Sequence, residues 1–73
     1  MSEIALESLV TGTVWKIEKQ VGDTVAEGEV VLIVESMKME IPLEASCAGT
    51  VARLAVEEKD SVSEGQILAV IRA

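Results

Sequence analysis

Apolar residues in this chain come in short bursts separated by turn-forming positions. The longest bursts, Val30 to Val34 and the equally apolar Ile67 to Ile71, have the length of a β-strand. No stretch of a dozen residues keeps apolar side chains at the 3.6-residue spacing of an amphipathic helix, so no substantial helix is expected. Gly12, Gly22 with Asp23, and Glu27 with Gly28 punctuate the first part of the chain. Gly49, Lys59 with Asp60, and Glu64 with Gly65 punctuate the second. Between them lie runs rich in Val and Ile, the pattern of short strands joined by tight turns.

The two sets of turn signals belong to an internal repeat. Sliding the sequence by 37 positions aligns residues 3–36 with residues 40–73 without a gap, and 11 of the 34 positions are identical. The matches include Glu3 with Glu40, Leu6 with Leu43, Gly12-Thr13-Val14 with Gly49-Thr50-Val51, Asp23 with Asp60, and Glu27-Gly28 with Glu64-Gly65. Each copy is too short to bury its own apolar face, so the copies are expected to share one core about a pseudo-twofold axis. With about four short strands per copy, the expected fold is all-β. It is a flattened eight-stranded barrel or sandwich of two four-stranded sheets with quasi-twofold symmetry, one domain over residues 1–73. Residues 37–39 are the segment between the copies. Under the twofold they correspond to the gap between Ala73 and Met1, which places Lys38 at one pole and both termini at the other.

Composition fits such a domain and narrows its role. The chain has 73 residues, of which 49% are apolar, yet Trp15 is the only aromatic. A chain of this size buries only about 60% of its unfolded surface, and small β-branched side chains must fill the core. One cysteine permits no internal disulfide, and the absence of histidine disfavours a zinc site. Regularly spaced oxygen ligands for calcium are missing too, so no metal site is expected. A net charge of -7 argues against nucleic acid, whose phosphates are met by clustered Lys and Arg. No apolar run approaches the roughly 20 residues of a membrane-spanning helix. The start, Met1-Ser2-Glu3, does not resemble a secretory signal, and a cytoplasmic protein is expected.

The segment Glu35-Ser36-Met37-Lys38-Met39-Glu40 must reverse the chain in very few residues. A two-residue hairpin favours Asn-Gly or a similar pair, because its central residues take positive φ. Met37 and Lys38 stand there instead. Breaking a local rule at a sharp turn marks functional sites, so a residue of positive φ is expected at Met37 or Lys38. A lysine at such a tip is accessible for acylation by a separate enzyme. Methionines on either side expose flexible, polarizable surface suited to recognition by more than one partner, while core filling by one of them is the plainer alternative. Glu35 and Glu40 flank the turn, keeping it soluble or complementing a basic surface.

The run Glu-Ser-Met-Lys-Met-Glu, centred between two halves that each carry Gly-Thr-Val and Glu-Gly, closely resembles the biotinyl domains of biotin-dependent carboxylases. The resemblance covers essentially the whole chain. It implies a flattened barrel of two four-stranded sheets, with biotin in amide linkage on Lys38. Met37 and Met39 would be read by biotin protein ligase and by the enzymes served, with Glu35, Ser36 and Glu40 shaping the turn. It further implies partners: a biotin carboxylase that uses ATP, bicarbonate and magnesium to load the biotin ring nitrogen, and a carboxyltransferase that passes the carboxyl to an acceptor. The carrier itself would catalyse nothing, and the isolated domain is expected to be a monomer.

The sister lipoyl carriers of dehydrogenase and glycine-cleavage complexes usually have Asp-Lys-Ala at this turn, so a lipoyl carrier is the second reading and an unmodified interaction module the third. Ser36 replaces a common Ala. Lys59 stands where Gly commonly precedes Asp, as Gly22 does, and is expected to loosen that turn slightly. The gapless repeat leaves no room for the thumb typical of bacterial acetyl-CoA carboxylase carriers, which points to another carboxylase or decarboxylase or a freestanding carrier. Cys47 lacks an activating base and is read as a small structural side chain. Trp15, aligned with Ala52, is expected to anchor the core or its boundary rather than to serve as a binding platform.

Overall fold

A computed structural model describes residues 2–73; Met1, which the domain bounds, the leader argument and the terminal pole include, lies outside the described residues. The short apolar bursts form eight strands: β1 (Glu3–Glu7), β2 (Gly12–Ile17), β3 (Thr24–Val25), β4 (Val30–Ser36), β5 (Met39–Glu44), β6 (Gly49–Leu54), β7 (Ser61–Val62) and β8 (Ile67–Arg72). They make two antiparallel four-stranded sheets of order β1-β8-β6-β3 and β5-β4-β2-β7. Advancing by half a chain turns one order into the other, strand for strand. The bulges obey the same symmetry, falling between Val14 and Lys16 in β2 and between Val51 and Arg53 in β6.

The core is aliphatic. Leu32, Leu68, Ile71, Val14, Val31 and Val51 are wholly buried. Consecutive buried pairs such as Val31-Leu32 arise because the β4–β5 register shifts between Val30 and Leu32, and a bulge turns two neighbouring side chains toward the same side. Cys47 and its repeat mate Val10 both pack, partly buried, against this core. Cys47 is thus a structural side chain.

The repeated Asp residues close equivalent corners. The Asp23 carboxylate accepts the Gln20 N–H at 2.8 Å, and the Asp60 carboxylate accepts the Glu57 N–H at 2.9 Å. Lys59 does not loosen its corner. It adopts φ 78°, close to the 96° of Gly22, and the Asp60 N–H still reaches the Glu57 carbonyl at 3.1 Å, against 3.0 Å at the first corner. Each corner is also hooked to the other half. Gly22 N–H and Asp23 C=O bond Val51, while Lys59 N–H and Asp60 C=O bond Val14. Neither half closes its own core.

These hooks fix the poles. Thr13 of β2 pairs with Glu35 next to the β4–β5 turn, and with Ser61 of β7. The chain then runs down β2 to β3, where Thr24 pairs with Thr50, and Thr50 with Arg72, itself opposite Glu3. The β4–β5 turn and the end where Glu3 faces Arg72 therefore lie at opposite ends of a body 36 Å long and 17 Å across.

Candidate functional site

The β4–β5 turn is a two-residue hairpin loop. Ser36 and Met39 form the last pair of the ladder, leaving Met37 at φ 49° and Lys38 at φ 68°. Both central residues are left-handed, as a primed turn requires. Neither is the Gly or Asn that adopts this conformation freely, and each pays about 1–2 kcal/mol for it.

The surrounding structure holds the strained turn in place. Ser36 Oγ donates to the Thr11 carbonyl at 2.9 Å, tying β4 to the β1–β2 loop. Thr11 Oγ1 in turn accepts the Glu64 N–H at 3.1 Å. Beside it, Gly12 lets β2 approach so closely that a Cβ there would overlap the Glu35 carbonyl. Thr11 and Glu64 were not legible as site residues, since they lie 25 and 28 positions from Ser36. Gly12 carried a signal in its identity with Gly49, where a Cβ would likewise meet the Arg72 carbonyl.

Met37 is 92% and Met39 63% exposed, so neither fills the core. Lys38, Glu35 and Glu40 are exposed and Ser36 is half-buried. The ion pairs among the described residues are Lys16–Glu18, Lys19–Glu29 and Glu3–Arg72. Lys38 is in none of them, and its amine stands free at the apex. Glu35 and Glu40 face each other directly across the ladder without a cation between them. No cluster of potential metal ligands occurs among the described residues. The tip offers one accessible primary amine on a rigid arm between two exposed thioethers. Trp15 departs from expectation: it is the extra residue of the β2 bulge and stands 48% exposed outside the core.

Comparison with known proteins follows this geometry. The sequence profile of the family described as biotin-requiring enzyme (Biotin_lipoyl) matches residues 4–71. Among solved structures, the urea carboxylase of Kluyveromyces lactis is 36% identical with a TM-score of 0.93, over 99% of this chain and 6% of that one. A single-chain, multi-domain long-chain acyl-CoA carboxylase is 30% identical with a TM-score of 0.89, over 97% of this chain and 7% of that one. The chain thus spans only a small part of either enzyme.

Proposed function

We propose, since this chain belongs to the biotin-requiring enzyme family, that it is the carrier module of a biotin-dependent carboxylase and that Lys38 is the residue that receives biotin. The observation that carries this reading is the placement of Lys38: an exposed amine, free of ion pairs among the described residues, at the second position of a braced two-residue turn. The fit is steric as well as chemical. Met37, Lys38 and Met39 are all exposed at the apex, and an amide there replaces an ammonium that joins no ion pair among the described residues.

Biotin bound at this amine supplies a ring nitrogen that accepts and releases a carboxyl group. The chain's own residues do the rest. Biotin protein ligase reads Met37 and Met39, whose exposed thioethers frame the lysine, and supplies biotin with its carboxyl already activated. Lys38 Nζ bonds to the carbonyl carbon, the activating group departs with the carboxyl oxygen, and the amine gives up its proton. Ser36 and Thr11 hold the root of the arm, so motion is confined to the lysine and its attached chain. Amide formation removes one positive charge and takes the formal balance from -7 to -8, leaving Glu35 and Glu40 to set the charge of the tip. The module catalyses no bond change. Tethering raises the local concentration of the arm at a biotin carboxylase and a carboxyltransferase in turn, in the cytoplasm.

A lipoyl carrier would use the same scaffold, but the Met-Lys-Met triplet and the carboxylase likenesses favour biotin. The test is intact-mass analysis with peptide mapping after exposure to biotin protein ligase. A biotin increment on Lys38, absent from Lys38→Arg with an unchanged fold, is expected. A lipoyl increment on native protein, or no modification, would overturn the reading.

A further inference from the structure

The two outer sheet faces are related by the internal twofold, so the fold makes the same demands on both. Their side chains nevertheless differ. On the face away from the tip, Thr50 pairs with Arg72 and Arg72 with Glu3, and the last two form an ion pair at 2.8 Å. At the equivalent position on the tip face, Thr13 pairs with Glu35 and Glu35 with Glu40. A salt bridge on one face is thus two opposed carboxylates on the other, an arrangement that disfavours the folded ladder. Neither carboxylate joins an ion pair among the described residues, and Lys16 in the same sheet leans to Glu18 at 3.9 Å.

The apolar positions diverge in the same way. Away from the tip, Arg53 pairs with Val70 and Val70 with Ala5, with Ala52 in the bulge. On the tip face, Lys16 pairs with Ile33 and Ile33 with Pro42, and the bulge residue is Trp15. Val70, Ala5 and Ala52 are thus replaced by the larger Ile33, Pro42 and Trp15, of which Pro42 and Trp15 are exposed and Ile33 is half-buried. The chain places its only aromatic residue there, 48% exposed, although its core is short of large side chains. Folding requires neither difference, because the twin face folds without them. Exposed Trp beside unneutralised charge is the composition of a binding surface.

We propose that the outer face of β2, β4 and β5, formed by Trp15, Ile33 and Pro42 beneath the Glu35 and Glu40 carboxylates, is the docking surface for biotin carboxylase, which sets an Arg or Lys between the two carboxylates and an apolar patch on Trp15. The proposal rests on the carrier reading of Lys38. Biotin carboxylase is the occupant because its substrates, ATP and bicarbonate, are anions whatever the final acceptor. The mouth of its site is therefore cationic, complementary to this face. Distance agrees: Glu40, two residues from Lys38, and Glu35 opposite it lie about 7 Å from the apex at about 3.3 Å per strand residue, and Ile33 about 7 Å further. An enzyme that receives the arm covers both.

The experiment uses the full chain, biotinylated to completion on Lys38 as checked by intact mass, as substrate for a purified biotin carboxylase with MgATP and bicarbonate. ADP release against carrier concentration gives KM and kcat. Trp15→Ala and the double variant Glu35→Gln/Glu40→Gln are each expected to raise KM about fivefold or more with kcat little changed. Added salt is expected to raise KM for the unaltered chain much more than for the double variant. Arg53→Gln, on the twin face, is expected to leave KM unchanged. Equal KM values for all four proteins, or an equal rise in Arg53→Gln, would overturn the docking face while leaving the carrier reading intact. Failure of Lys38 to be labelled would overturn both.

Discussion

Replacing Lys38 or Lys59 by glycine separates what the tip turn does for the fold from what it does for function. Both lysines sit in the left-handed region, at φ 68° and 78°, and neither side chain joins an ion pair among the described residues. Substitution therefore changes little besides the backbone. A non-glycine residue in this conformation costs about 1–2 kcal/mol. Glycine gives back about 0.5–1 kcal/mol of that through the greater freedom of the unfolded chain. The net expectation is a gain of about 0.5–1 kcal/mol for each variant, or about 2–8 °C in Tm for a domain of this size. Thermal melts by circular dichroism measure it, with urea titrations followed by Trp15 fluorescence as a second probe. Lys59→Gly reproduces what Gly22 already does at the equivalent corner and should keep Lys38 labelling intact. Lys38→Gly should be as stabilised and entirely unlabelled, while Lys38→Arg should melt with the unaltered chain. A lower Tm for Lys59→Gly would refute the strain argument, and with it the view that the tip turn is held against its local preference.

Other perturbations test the remaining contacts. Lys19 donates a hydrogen bond to Glu29, which holds the Glu29 carboxyl below its ordinary value of 4.5 and raises the Lys19 ammonium above 10.5. The carboxylate's contribution is present above pH 4.5 and lost as pH falls through the depressed folded value. The ammonium's is present below pH 10.5 and lost as pH rises through the raised one. Glu29→Gln keeps the turn bond to the Ala26 N–H, as Gln66 does with Ser63, so its Tm should vary less with pH at both extremes; an unchanged pH profile would exclude this ion pair. Gly12→Ala should lose about 1–3 kcal/mol by forcing β2 from the Glu35 carbonyl, and should slow Lys38 labelling. Gly49→Ala should lose as much stability at the far pole while labelling normally, and equal slowing in both would separate Gly12 from the tip. Glu35→Arg restores the pairing that Arg72 makes with Glu3 and should gain about 0.5–1 kcal/mol at low salt, less at high salt; denaturant titrations at two ionic strengths measure it.

Much of this was legible in the sequence because one geometric fact, the 37-residue offset, constrains everything else. It implied two four-stranded sheets around one shared core, and a tip placed opposite the end where Glu3 faces Arg72. The unsuitable turn residues gave the left-handed backbone at Met37 and Lys38. Contacts between distant residues of unremarkable type were not legible. Ser36 reaches Thr11 from 25 residues away in the chain, and the repeat gives no hint of it, since Ala73 and Ala48 stand at the equivalent positions. Trp15 was misjudged for a related reason. Aromatic side chains usually mark the core, but the bulge that precedes Lys16 turns this one outward. Lys59 was misjudged too, because turn hydrogen bonds from Asp60 outweigh the preference of one residue.

The corners that hook each half to the other have a consequence for assembly. In the language of oligomers, the domain is an isologous dimer enclosed in a single polypeptide. Cut at the β4–β5 turn, it would become two similar chains whose folding depended on their concentration. The covalent link makes that encounter unimolecular. The segment that supplies the link is the same one that presents Lys38, so the arm is mounted on the covalent strap between the two halves.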